Sequence, residues 1–136
     1  SEQVGNLISE VIESENIRPI VVEVGLGFQV GLAGSKLSAA QRQKVSLARA
    51  LIRSPDVLIL NEATSALDSG SQSKVIKNIM EATKGKNLLW VLQRVGLADV
   101  FDRVLVMSGG RVIETGSFKE LESQPDSTLN NLLRDE

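Results

Sequence analysis

The 136-residue sequence contains no cysteine and no histidine. Without thiols there is no disulfide and no thiolate chemistry, a composition that suits a reducing compartment. Without imidazole there is no Ser-His or Cys-His catalysis and no histidine-based metal centre. Tyrosine is absent too, and one tryptophan and three phenylalanines supply all the aromatic surface. Single strands of nucleic acid are held by stacked rings along a basic groove. With so few rings and a net charge of −2, nucleic acid is not expected as a partner. No apolar run approaches the ~20 residues needed to span a bilayer. The acidic N-terminal stretch SEQVGNLISEVIESE lacks the pattern of a secretory leader. A role at a membrane would require another segment or another chain to span it.

What is present is patterned. Val4, Leu7, Ile8, Val11 and Ile12 recur at helical spacing and predict an amphipathic helix over about residues 4–14. PIVVEVG (19–25) is a short apolar run that periodicity leaves open between strand and buried helix. GLGFQVGLAGSKL (25–37) reads as loop. A helix is predicted next, with Ser38 as N-cap, Gln41 completing a capping box, and Val45, Ala48, Leu51 and Ile52 as its apolar stripe. Arg42, Lys44, Arg49 and Arg53 lie on its solvated side, and Ser54-Pro55 ends it. VLIL (57–60) and LLWVL (88–92) are continuous apolar runs, as expected of strands buried on both faces in a parallel sheet. Between them a helix is predicted over about 69–83, with Val75, Ile76, Ile79 and Met80 inward and Gly85 stopping it. Residues 95–101 suit a helical turn. RVLVM (103–107) and RVIET (111–115) flank Ser108-Gly109-Gly110 and predict a tight hairpin. Ser117 and Glu120 form a second capping box, and Leu129, Leu132 and Leu133 mark a last amphipathic turn. Alternating helix and buried strand predicts an α/β fold with a mostly parallel sheet.

Two motifs stand at a fixed distance: LSAAQRQ (37–43) and VLILNEATSALD (57–68). Alone, Ser38-x-x-Gln41 is no more than a capped helix. Together the motifs resemble the ATP-binding cassette of the ABC transporter family, in its exporter branch. That family carries an LSGGQ signature, a basic helix, a strand ending in Asp-Glu and then SALD. The order and spacing match without a gap from Ser38 to Asn61, and FDRVLVMSGGRVIETGSFKEL (101–121) is similar to the family's closing hairpin and helix. The resemblance implies a partial P-loop NTPase (RecA-like) core with flanking helices and part of the helical signature subdomain. On that reading residues 1–53 belong to the signature subdomain and 54–136 to the C-terminal part of the ATPase core, one incomplete cassette in all.

The resemblance also implies roles. Ser38, Ala39, Ala40 and Gln41 would meet the γ-phosphate of ATP held by an opposite subunit, where a helix N-terminus offers free N–H groups. Glu62 would polarise the attacking water. Asp68 would belong to the loop that crosses the dimer interface, or cap the next helix, or both. Several positions depart from the family pattern. Asn61 replaces the aspartate that helps hold Mg²⁺, and an amide brings no charge to a hard cation. Gln93 stands where the family has a switch histidine; it offers a neutral hydrogen bond without the proton chemistry. Ala39 and Ala40 replace two glycines, at a cost on the order of 1 kcal/mol wherever positive φ is needed.

The phosphate-binding loop is missing. GLAGSK (31–36) and GLGFQVG (25–31) satisfy neither G-x-x-x-x-G-K-[ST] nor G-x-G-x-x-G. The chain is therefore expected to be the C-terminal portion of a cassette from a longer protein. ATP and Mg²⁺ are expected as cofactors of the complete protein, with neither tightly bound by this portion. Expected partners are a second nucleotide-binding domain in a head-to-tail dimer and a transmembrane domain, at the cytoplasmic face of a membrane. Self-association of the chain through an uncovered sheet edge or face is a further expectation. Two functions follow: coupling of ATP binding and hydrolysis to transport, or a degenerate, non-hydrolysing cassette that lends its signature to a partner's ATP site.

Overall fold

The computed structural model describes residues 27–136 together with Asn6, Ser9 and Gly25. Asn6 and Ser9 are helical; the rest of the helix expected over 4–14 and nearly all of PIVVEVG lie outside the described residues. The chain divides into two compact units, one ending at Val91 and the other spanning Leu92–Glu136.

In the first unit a 3₁₀ turn, Leu32–Gly34, precedes helix α1, Ala39–Ile52. The expected capping box is formed in full: Gln41 N–H donates to Ser38 Oγ at 3.1 Å, and Ser38 N–H donates to Gln41 Oε1 at 2.8 Å. Leu47, Ala48 and Leu51 are the buried residues of α1, so Leu47, not Val45 or Ile52, leads its inner face. The helix ends as predicted before Ser54-Pro55, with Ser54 at φ 46°.

Strand β1 (Val57–Asn61) pairs parallel with β2 (Asn87–Val91), in register from Val57↔Asn87 to Asn61↔Val91. Helix α2 (Ser69–Ala82) links them. Asp68 caps α2 by accepting from Ser71 N–H at 2.9 Å, and Gly85, at φ 78°, follows its end. The core of this unit joins Leu47 and Leu51 of α1, Leu58 and Leu60 of β1, Leu67, and Val75 and Ile79 of α2. Each such side chain contributes roughly 1.5–3 kcal/mol by leaving water. Trp90, partly buried, packs against this core.

Burial on both faces of the strands is not what the structure has. Leu58 and Leu60 are 6% exposed, while Val57 is 57% and Ile59 65% exposed. On β2, Leu89 and Val91 are likewise exposed. Both helices contribute to a core on one face of the pair, and among the described residues no second layer covers the other.

The second unit holds a 3₁₀ segment (Val95–Val100), an antiparallel hairpin of β3 (Val104–Ser108) and β4 (Arg111–Gly116), and two short helices, α3 (Phe118–Glu122) and α4 (Thr128–Arg134). The hairpin turns on Gly109 and Gly110, at φ 55° and 75°, the sign both central residues of a type I′ turn require. Its register shifts between Val106 and Met107. Ala98, Val106, Phe118, Leu121 and Leu129 form the core. Of the three leucines expected inward in the last helix, Leu129 is buried, Leu133 packs partly and Leu132 stays exposed. The Ser117–Glu120 capping box is present. The Glu114 carboxylate reaches from β4 to accept from the Thr128 and Leu129 N–H groups at the start of α4.

Candidate functional site

The first half of the site is the start of α1. Ser38 is exposed, and its Oγ accepts from Gln41 while its O–H remains a donor. Ala39 and Ala40 open the helix, and neither has positive φ. The strain expected if an alanine there needed a left-handed backbone therefore does not arise, and Ala40 packs against the core.

The second half is the chain leaving the C-terminal end of β1, where ligand sites of open α/β sheets gather. Asn61, the last strand residue, is exposed. Glu62 has φ 49°, a conformation that costs a non-glycine residue on the order of 1 kcal/mol and persists only where its surroundings fix it. Those surroundings are dense. Glu62 N–H donates to Val91 O at 3.0 Å, and Glu62 O accepts from Ser65 N–H at 3.1 Å. Thr64 is buried, and its carbonyl accepts from Leu67 N–H at 3.0 Å and from the buried Gln72 Nε2 at 2.7 Å. Leu67 anchors the loop in the core. From α1, Gln43 Nε2 donates to Ser65 Oγ at 3.1 Å and reaches Glu62 O at 3.5 Å, while Gln43 Oε1 accepts from Ala66 N–H at 2.9 Å.

Asp68 closes the loop. Hydrogen bonds from Ser71, side chain and backbone, hold its carboxyl below its ordinary value. The cap role is thus realised within the chain. Gln93 lies beyond β2, at the start of the second unit, and is exposed. The structure thus gathers Asn61, Glu62 and Asp68 on one loop and ties that loop to the helix that Ser38, Ala39, Ala40 and Gln41 begin. Gln43 and Gln72 were not singled out from sequence. Each bonds the loop across the fold, and no local signal marked either, since Gln41 and Asn78 are amides on the same two helices.

The fit of the family's cofactors is partial. Among the described residues no three acidic side chains gather as a metal site, and Asn61 and Glu62 together offer one amide and one carboxylate. That is not a protein-built magnesium site; Mg²⁺ commonly leans on phosphate oxygens and water besides. The glycine-rich stretch at 31–36 is no phosphate cradle. The N–H groups of Gly34, Ser35, Lys36 and Leu37 already donate to the carbonyls of Gly31, Leu32, Val30 and Gly34.

Comparison with known proteins decides the family. The family model described as ABC transporter matches residues 6–65, which include both LSAAQ and the segment through Ser65. The chain is 39% identical over 137 residues to the ATP-dependent permease MDL1 of Candida albicans, covering 98% of this chain and 20% of the permease. It is 40% identical over 108 residues to the alpha-hemolysin translocation ATP-binding protein HlyB of Escherichia coli, covering 79% of this chain and 15% of that protein. The chain belongs to the ABC transporter family. Its fold matches that of a bacterial Atm1-family ABC exporter solved with ATP bound, with TM-score 0.87, 24% identity, and coverage of 96% of this chain and 23% of that one. The α/β class with a small parallel sheet and flanking helices is therefore that of an ABC exporter's ATP-binding domain. The chain spans about a fifth or less of the length of these relatives. No helix among the described residues is long and apolar enough to cross a membrane.

Proposed function

We propose that this chain is the signature-bearing, C-terminal portion of an ATP-binding cassette that couples ATP binding to membrane transport. In the assembled protein a transmembrane domain carries the substrate path, and a second nucleotide-binding domain packs head to tail against this one at the cytoplasmic face of the membrane. Residues 1–53 serve the signature subdomain and residues 54–136 the ATPase core. The observation that carries the reading is the loop at the end of β1, which holds Glu62 in a fixed, uncommon backbone conformation and joins it to the signature helix.

Ser38 to Gln41 offer a helix N-terminus and one hydroxyl donor to the γ-phosphate of ATP bound by the opposite cassette. Glu62 is placed to accept a proton from, or orient, the attacking water of this cassette's own site. When bound, ATP supplies the phosphoryl group and Mg²⁺ neutralises charge developing on it. Asp68, with its carboxyl kept ionised by Ser71, presents a fixed negative group on the interface loop.

Two substitutions favour a second reading, a cassette that binds and lends its signature but hydrolyses poorly. Asn61 removes a carboxylate from the magnesium side of the site, and Gln93 removes a titratable group from the switch position. The experiment is Mg-ATP turnover of the full-length protein, alone and with Asn61→Asp plus Gln93→His. Low starting turnover that rises on reversion is expected; robust starting turnover contradicts the degenerate site. Calorimetry on the 136-residue chain is expected to show no appreciable MgATP binding.

A further inference from the structure

We infer that Gln43 is a positioning residue that ties the signature helix to the backbone presenting Glu62, so that contact at one ATP site is felt at the other. The inference rests on the proposed roles of Glu62 and of Ser38–Gln41. It goes beyond them by naming the part that joins the two.

Gln43 lies five residues after Ser38, half-buried, on the second turn of α1. A primary amide has two donor hydrogens and a two-lone-pair acceptor. Here both ends are used on one short stretch of chain 19 to 23 residues away: Glu62 O, Ser65 Oγ and Ala66 N–H. The longest of these, 3.5 Å to Glu62 O, is weak; the bonds at 3.1 Å and 2.9 Å carry the clamp. The other ties on this loop come from elsewhere, Val91 of β2 and Gln72 of α2. Gln43 comes instead from the helix whose first residues would touch the neighbour's phosphate.

The physical consequence follows from strain. Glu62 sits at φ 49°, and such a backbone holds only while its neighbours over-determine it. A rigid helix that shifts when its N-terminus takes up a phosphate carries the Gln43 amide with it, and the amide moves Ser65 and Ala66. Turnover is sensitive to this, since a displacement of about 1 Å at a catalytic group costs up to ~100-fold. Gln43 is bonded to the loop's own atoms, Ser65 Oγ and Ala66 N–H, and so acts through the backbone that presents Glu62.

The test uses the full-length protein with the replacement Gln43→Met, which keeps length and helix propensity and removes every hydrogen bond. Three readouts are taken: kcat and KM for Mg-ATP, the melting temperature, and amide hydrogen exchange of the peptide spanning residues 62–68. The expected result is a ~10–100-fold fall in kcat with KM within about twofold, faster exchange at the Ala66 amide, and little change in melting. In a Glu62→Gln background the methionine should lower residual turnover no further, because the residue it acts through is already gone. If the methionine variant melts early, Gln43→Glu decides on the same readouts: its carboxylate can still accept from Ala66 N–H and from Ser65 O–H, so turnover and exchange should stay nearer the parent than in the methionine variant, and a loss equal to that of methionine overturns the inference. Unchanged kcat together with unchanged exchange in the methionine variant overturns the inference, as does an effect on KM alone. A Glu62→Gln protein with full turnover marks failure of the Glu62 assignment instead, and exchange at Ala66 then still reports whether the clamp exists.

Discussion

Gln72 offers a test in which stability and function should part. It is 4% exposed, on the inner face of α2. Its Nε2 donates to Thr64 O at 2.7 Å, while its Oε1 is buried with no hydrogen-bond partner among the described residues. Replace it by methionine, which matches its length and helix propensity. The lost hydrogen bond is worth about 0.5–1.5 kcal/mol net. The Thr64 carbonyl is not orphaned, because Leu67 N–H still donates to it at 3.0 Å. Removing the buried, unpaired Oε1 returns about 1–3 kcal/mol of desolvation. The sum runs from about 0.5 kcal/mol of destabilisation to about 2.5 kcal/mol of added stability. Urea unfolding reads this directly: with a slope of about 1–3 kcal/mol per molar, 1 kcal/mol moves the midpoint by ~0.3–1 M. Gln72→Glu is the contrast. It turns the donor toward Thr64 into an acceptor or a buried charge and should cost about 3 kcal/mol. The same methionine removes a tether from the loop carrying Glu62, so Mg-ATP turnover of the full-length protein should fall while stability holds or rises. A methionine variant destabilised by more than about 1.5 kcal/mol would refute the reasoning, since Oε1 would then have to be satisfied.

Two further outcomes are expected. Ala39→Gly and Ala40→Gly restore the family's glycines at positions that have no positive φ, so each should lower stability by about 0.5–1 kcal/mol in urea unfolding, and a gain would contradict the helical assignment of these residues. Asp68, Glu114 and Glu120 all have carboxyls held below their ordinary values, by hydrogen bonds from Ser71, Thr128 and Ser117 respectively. Their folded-state values are depressed, so their stabilisation is fully present above the ordinary carboxylate range and is lost as pH falls through the folded values. The urea midpoint should therefore drop on acidification below that range and drop less in Asp68→Asn/Glu114→Gln; an unchanged slope would contradict these hydrogen bonds.

The parts legible in the sequence were those whose causes are local. The capping boxes at Ser38 and Ser117 need only residues three apart, and the Gly109-Gly110 turn needs only two positive φ values side by side. The LSAAQ and NEATSALD pair implied a helix start and a strand end, and the structure has a helix beginning at Ala39 and a strand ending at Asn61. The parts that were not legible depend on distant chain. The Gln43 clamp spans 19 to 23 residues, and the left-handed backbone of Glu62 contradicts its own propensity because β2, α1 and the loop's turns impose it. VLIL looks the same in sequence whether one face or two is covered, so the exposure of Val57 and Ile59 had no local signal. Leu47 displaced Val45 on the inner face of α1 because the direction of the stripe is set by where β1 and α2 lie.

Under the proposed function, residues Ser38–Gln41 meet the γ-phosphate of ATP across a cassette interface. Trypsin cleavage after Lys36 and Arg42 isolates that stretch as the peptide Leu37–Arg42. The direct measurement is photolabelling of the full-length protein with a γ-phosphate-linked azido-ATP, followed by tryptic mapping. Label is expected on Leu37–Arg42, abolished by excess MgATP. Label confined to other peptides, with Leu37–Arg42 unmodified at saturating nucleotide, would contradict it.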